Sequence, residues 1–117
     1  MAGIDTISAQ QLDEYYRQDV VFIIDLRSPK EYLECHYFGA LNLPYEDFDE
    51  IENTILEHLP KEGLMILYCD RGSASLMAAR ELMKKGYRVK SVVGGIHLYS
   101  GSNLYFSPMH SKINKNK

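Results

Sequence analysis

Short runs of consecutive apolar residues alternate along this chain with stretches in which apolar positions recur every three or four residues. That rhythm predicts βαβ units wrapped around a parallel sheet. Val20-Val21-Phe22-Ile23-Ile24 is a continuous β-branched and aromatic run, the pattern of a central strand buried on both faces. Leu64-Met65-Ile66-Leu67-Tyr68 is a second buried strand by the same criterion. Further strands are predicted at Ile4 to Ile7, at Gly39 to Asn42 before the stop at Pro44, and at Val89 to Val93 before Gly94-Gly95.

The intervening segments carry helix signals. Ser8 opens a helix as a capping box with Gln11, and Leu12, Tyr15 and Tyr16 form its inner face. Ser28-Pro29-Lys30-Glu31 combines a capping Ser, a Pro at the first helical position and a Glu three residues after the cap. Phe48, Ile51, Ile55, Leu56 and Leu59 line one face of a third helix that ends at Pro60 and Gly63. A fourth runs from Ser73 to Lys85, with Leu76, Ala79, Leu82 and Met83 inward and Arg80, Glu81, Lys84 and Lys85 outward. Gly86 is placed for its left-handed C-terminal cap. The expected fold is α/β, with about five strands and four or five helices.

Composition narrows the function classes. The 117 residues suit one domain, and 45% hydrophobic with 25% charged content is that of a globular chain. A net charge of -3 argues against nucleic-acid binding, which needs a basic face. No segment approaches the roughly 20 apolar residues of a membrane span. The first residues lack the basic start and apolar stretch of a secretory signal. With two cysteines, Cys35 and Cys69, a disulfide scaffold is not expected and a reducing, cytoplasmic setting is. Cys and His are too few at ligand spacing for structural zinc, and no cofactor is expected. No internal repeat occurs, and the polar residues Ser111 to Lys117 read as a frayed tail.

The chemistry concentrates at Cys69. In open α/β sheets ligands bind beyond the carboxyl ends of the strands, and Cys69 has that address, after a central strand and before a helix. The loop Cys69-Asp70-Arg71-Gly72-Ser73-Ala74-Ser75 includes Gly72, which permits a sharp turn. Such a loop can aim several backbone N–H groups inward as a nest for an anion, and the following helix adds its positive dipole end. Both features favour a thiolate, the nucleophilic form of cysteine. The competing reading is a buried, inert cysteine at a strand end.

Three stretches resemble the rhodanese domain family, and together they span most of the chain. Asp25-Leu26-Arg27-Ser28-Pro29-Lys30-Glu31-Tyr32 is similar to a D-x-R-x-x-x-E-[FY] stretch. His36-Tyr37-Phe38-Gly39-Ala40-Leu41-Asn42-Leu43-Pro44 is similar to H-I-x-G-A-x-N-[IL]-P. Cys69 to Ser75 is similar to the C-x-x-G-x-x-S active-site loop, with Gly94-Gly95-Ile96 downstream. The resemblance implies a three-layer sandwich with a five-stranded parallel sheet and helices on both faces. It assigns residues 1–102 to the domain and leaves 103–117 as a partly flexible extension. It further implies a sulfurtransferase in which Cys69 takes sulfane sulfur from thiosulfate or a persulfide and passes it to a thiol, protein or cyanide acceptor. The backbone of Asp70 to Ala74 would cradle that sulfur, and Asp25 and Arg27 match a pair that lies near the loop.

The chain departs from the family at several positions. Ala74 stands where many active members have Arg, and Arg71 is the candidate to supply that charge to an anionic donor. Asp70 would oppose thiolate formation if it faced inward, and is expected to face out. Cys35 replaces the usual Gly before the His, Tyr99 stands where a Trp often follows the two glycines, and Leu104 to Met109 does not match the family's ending. Cys35 reads as a small apolar helix-end residue or as a resolving thiol for Cys69, and His36 as structural more than catalytic.

Three rival functions follow from the same residues. A Cys-x5-Arg phosphatase or arsenate reductase needs a guanidinium where this chain has Ser75. A non-catalytic rhodanese-like binding module would need neither the cysteine nor its glycine-bearing loop. A Cys35/Cys69 thiol-redox switch would need the two Cα atoms within about 7 Å. A dinucleotide oxidoreductase is excluded, because no G-x-G-x-x-G follows a strand.

Overall fold

A computed structural model of the chain describes residues 3–16, 18, 20–47, 50, 53, 58 and 61–108. The third expected helix (Phe48, Ile51, Ile55, Leu56, Leu59 and Pro60) and the tail from Ser111 lie outside these residues, except for single positions. In chain order the elements are β1 (Thr6–Ser8), α1 (Leu12–Tyr15), β2 (Val21–Asp25), α2 (Pro29–Glu34), β3 (Cys35–Tyr37), β4 (Leu41–Asn42), β5 (Leu64–Tyr68), α3 (Ser73–Lys84), β6 (Arg88–Val93) and β7 (Leu104–Phe106). Short 3-10 turns cover Ala9–Gln11, Tyr45–Asp47 and Ile96–Leu98.

Five strands form one parallel sheet in the order β1-β6-β5-β2-β4, so the α/β expectation holds. β5 is central and its five residues are all buried, as its uninterrupted apolar sequence requires. Alternation along β5 sends Met65 and Leu67 to one face and Leu64, Ile66 and Tyr68 to the other. The first face packs on Ala78, Ala79 and Leu82 of α3; the second packs on Leu12, Tyr37 and Tyr99. Cys69 continues the alternation and falls on the α3 face.

The predicted caps form as read. The Ser8 hydroxyl accepts the Gln11 N–H while Gln11 Oε1 accepts the Ser8 N–H, and Ser28 and Glu31 make the same reciprocal pair. α3 ends with Gly86 N–H donating to the Met83 carbonyl and Tyr87 N–H to that of Leu82, a Schellman closure.

Three expectations need correction. Leu76 is 37% exposed, because the buried stripe of α3 is Ser75, Ala78, Ala79 and Leu82, and the next residue is turned about 100° away. The first strand is Thr6–Ser8 instead of Ile4 to Ile7, since Ser8 is both the last strand residue and the cap of the following turn. Gly39 lies in a turn ahead of a two-residue β4, so the strand there is shorter than Gly39 to Asn42. One element was not anticipated: β3 and β7 pair antiparallel as a separate ribbon, with Cys35 opposite Phe106 and Tyr37 opposite Leu104.

Candidate active site

The carboxyl end of β5 opens into a cleft of about 450 Å³ lined by Leu26, Arg27, Ser28, Glu31, Pro44, Tyr45, Glu46, Cys69, Asp70, Arg71, Ser73 and Ala74. Cys69 is buried at its floor. The loop after it reverses around Gly72, whose φ of +105° suits glycine and which serves as the N-cap of α3. This geometry turns two backbone donors on the sulfur: Gly72 N–H at 3.0 Å and Ser75 N–H at 3.4 Å from Cys69 Sγ. The Ser75 hydroxyl lies 3.7 Å from the same sulfur. Among the described residues the backbone N–H groups of Arg71, Ser73 and Ala74 have no acceptor, as expected for Ser73 and Ala74 in the first turn of a helix.

The loop is held from behind. Ser75 is fully buried; its hydroxyl donates to the Gly72 carbonyl and shares a 2.8 Å hydrogen bond with Ser91 Oγ of β6. Ile96 N–H donates to the Cys69 carbonyl and His97 N–H to that of Asp70. Gly94-Gly95 makes this approach possible, because a Cβ on Gly95 would stand 2.3 Å from the Asp70 carbonyl oxygen. Sequence reading found these glycines as the end of the last strand and by resemblance, and missed Ser91 altogether. The signal for Ser91 is a small hydroxyl on the buried side of its strand, opposite a Ser six residues after the nucleophile.

Asp25 and Arg27 meet beside this loop but in different settings. Asp25 is wholly buried at the end of β2, and its carboxylate accepts the Arg27 backbone N–H at 2.8 Å and the guanidinium through both oxygens. Arg27 also donates to the Cys35 carbonyl and lies over the Tyr68 ring, 5.8 Å from its centroid. Burial opposes the guanidinium charge, but the hydrogen bonds and attraction of Asp25 outweigh it and hold Arg27 protonated. Arg27 therefore reaches the cleft wall already neutralised, while Asp25 does not line the cleft. Asn42 ties the pair down by donating to the carbonyls of both residues.

Asp70 faces outward as expected, with a side chain 55% exposed, and Arg71 is 72% exposed with its Nε 3.7 Å from the Asp70 carboxylate. The site that Cys-x5-Arg chemistry needs for its guanidinium is the buried hydroxyl of Ser75. Cys35 begins β3, is half-buried and does not line the cleft; burial pushes its thiol up from the ordinary value. His36 is stacked on Tyr32 at 3.7 Å between ring centroids, with Nδ1 2.7 Å from the Tyr32 carbonyl, and is likewise outside the cleft. Among the described residues no group of three or more His, Cys, Asp or Glu is placed to hold a metal ion, and no helix is long and apolar enough to cross a membrane.

Comparison with known proteins gives a consistent picture. Residues 8–102 match the family model described as rhodanese-like domain. The chain is 39% identical over 77 residues to a tRNA sulfurtransferase of Desulfurococcus amylolyticus, covering 66% of this chain but 14% of that protein. It is 32% identical over 74 residues to thiosulfate sulfurtransferase PspE of Escherichia coli, covering 62% of this chain and 68% of that one. Among solved structures, that of reduced Bacillus anthracis CoADR-RHD superposes with a TM-score of 0.72 at 32% identity, over 82% of this chain and 16% of that one. With a family match that runs from Ser8 through the cysteine loop to beyond the Gly94-Gly95 turn, the chain belongs to the rhodanese-like domain family.

Proposed function

We propose that the protein is a sulfurtransferase that carries a sulfur atom on Cys69 as a persulfide. The Cys69 thiolate attacks the outer sulfur of a donor. A new bond forms between Sγ and that sulfur, the donor's S–S bond breaks, and its electron pair leaves on the inner sulfur as sulfite or as a thiol once protonated. An acceptor nucleophile (a thiol, a protein, or cyanide in a test tube) then attacks the outer sulfur and releases the Cys69 thiolate.

The observation that carries this reading is the distribution of backbone donors. Gly72 and Ser75 N–H already point at Sγ, while Arg71, Ser73 and Ala74 supply donors without partners among the described residues, beside the cleft that an outer sulfur would enter. Fixed dipoles of this kind stabilise a charge without reorganising. The relatives named as sulfurtransferases support the same class of reaction. A reducing compartment, such as the cytoplasm, is proposed as the setting because it keeps Cys69 free of disulfides.

The test is intact-mass measurement after treatment with thiosulfate or a persulfide, on wild type, Cys69→Ser and Cys35→Ser. Wild type and Cys35→Ser are expected to gain one sulfur that reductant removes. An identical gain in Cys69→Ser would remove Cys69 from the mechanism.

A further inference from the structure

The positive character of the site is confined to the immediate surroundings of Sγ. Neutral backbone dipoles and the start of α3 supply it, at contact distance from one sulfur atom. The rim of the cleft, where the rest of a donor must lie, has the opposite character. Two guanidinium groups line it, Arg27 and Arg71, and each has its own carboxylate: Asp25 in the first case, Asp70 in the second. Two further carboxylates line the cleft. Glu31 is engaged with the Ser28 N–H and hydroxyl, whereas Glu46 is exposed and makes no hydrogen bond or ion pair among the described residues. Glu46 also opens an acidic run in the sequence, followed by Asp47, Asp49, Glu50 and Glu52 with no basic residue between them.

We infer that the donor this cleft takes is a persulfide on a neutral or cationic carrier, in preference to a polyanion such as thiosulfate. The inference rests on the sulfur-carrier reading of Cys69. Thiosulfate brings two negative charges toward a thiolate and toward Glu31 and Glu46, while the charges of Arg27 and Arg71 are offset by Asp25 and Asp70. A persulfide presents the same transferable sulfur to the N–H donors while its carrier adds no charge, or a favourable one, at the rim. The attack remains balanced: the Cys69 thiolate bonds to the outer sulfur of R–S–SH, the donor's S–S bond breaks with its electron pair on the inner sulfur, and that sulfur takes the proton from the outer one and leaves as the thiol R–SH. The apolar wall of Leu26, Pro44, Tyr45 and Ala74 suits an uncharged carrier better than a hydrated anion.

Cysteamine persulfide and glutathione persulfide share the reactive group and differ in charge, so they are the probes, with thiosulfate as the third donor. Loading of the full chain is followed by intact mass against time at low and at high ionic strength. At low salt the cationic persulfide is expected to load on the order of 10-fold faster than the anionic one, with thiosulfate slowest. High salt narrows the spread, because the rim charges are exposed and screened within about 10 Å. Glu46→Gln is expected to speed the two anionic donors by about two- to fivefold, the size of an exposed charge interaction. Loading in which thiosulfate leads, or in which neither salt nor Glu46→Gln changes the ratios, overturns the inference and leaves the carrier role standing. Failure of every donor to load Cys69 overturns both.

Discussion

Gly95 and Asp70 are packed backbone against backbone, so closely that a methyl group on Gly95 would stand 2.3 Å from the Asp70 carbonyl oxygen. Gly95 is also held at φ +70° and ψ -170°, a region open essentially to glycine. The turn after β6 thus fixes the outer side of the cysteine loop, with Ile96 and His97 N–H groups bonded to the carbonyls of Cys69 and Asp70. Gly95→Ala is expected to cost about 1–3 kcal/mol for the backbone conformation alone, and more for the collision. Urea denaturation measures that loss. The loop should suffer beyond the global effect, so folded Gly95→Ala protein should load sulfur more slowly than wild type.

Ser75 and Ser91 form a buried pair of hydroxyls between α3 and β6, 2.8 Å apart. Ser75 keeps the Gly72 carbonyl as its acceptor when Ser91 is removed, so Ser91→Ala is expected to cost one hydrogen bond, about 0.5–1.5 kcal/mol. Ser75→Ala strips the buried Ser91 hydroxyl of this partner and is expected to cost about 1–3 kcal/mol. In the Ser75→Ala/Ser91→Ala double variant the penalty should fall well short of the sum, giving a coupling of at least about 0.5 kcal/mol in a denaturation cycle. Additive losses would mean that the hydroxyls do not depend on each other. Sulfur loading separates their roles, since Ser75 also donates its backbone N–H to Cys69, which survives both substitutions.

Much of this architecture was legible in local sequence, for physical reasons. The strand Leu64–Tyr68 was read correctly in both bounds, because a central parallel strand must be apolar throughout and Glu62-Gly63 before it and the Cys69-Asp70 loop after it break that run. The two capping boxes were equally local, since a cap satisfies donors three residues away. Cys69 could be placed at the sheet's carboxyl edge by the same logic. What escaped depends on long-range partners. Cys35-His36-Tyr37 and Leu104-Tyr105-Phe106 are too short and too far apart to announce a shared ribbon. Ser91 and Gly95 acquire meaning only once β6 lies beside β5. Leu76 was misplaced because Ser75, Ala78 and Ala79 offer α3 a flatter inner face than the larger residue one step along.

The Asp25–Arg27 pair makes a third stability prediction. Asp25 is fully buried and Arg27 closely covered, with side-chain exposures of 0% and 11%. Asp25→Ala would leave a guanidinium without its partner, and breaking such a pair costs about 3–5 kcal/mol. Arg27→Ala strands the carboxylate and should be comparably damaging. If both variants were as stable as wild type, the pair would have no structural function and its position beside the cleft would point to substrate contact alone. The expected result is a lower denaturation midpoint in each.

The C-terminal segment is anchored by a carboxylate, and this makes its attachment sensitive to acid. Asp13 Oδ1 accepts hydrogen bonds from Tyr37 Oη at 2.7 Å, Tyr99 Oη at 2.9 Å and Asn103 Nδ2 at 3.0 Å. Burial pushes the Asp13 carboxyl up, but the hydrogen bonds from Tyr37, Asn103 and Tyr99 outweigh it, so it lies below its ordinary value. A group whose folded value is depressed contributes stability that is complete above its unfolded value, about 3.9, and is lost as pH falls through the folded one. The protein should therefore lose thermal stability as pH drops below about 4. Asp13→Asn cannot titrate: it is expected to be less stable than wild type at neutral pH, with the gap between them closing in acid. Melting curves from pH 7 to pH 2 on the two proteins measure this, and parallel curves would show that Asp13 is not the group responsible. Truncation before Asn103 should shrink the same acid-sensitive component, because it removes the Asn103 donor and leaves Tyr37 and Tyr99 to hold the carboxylate.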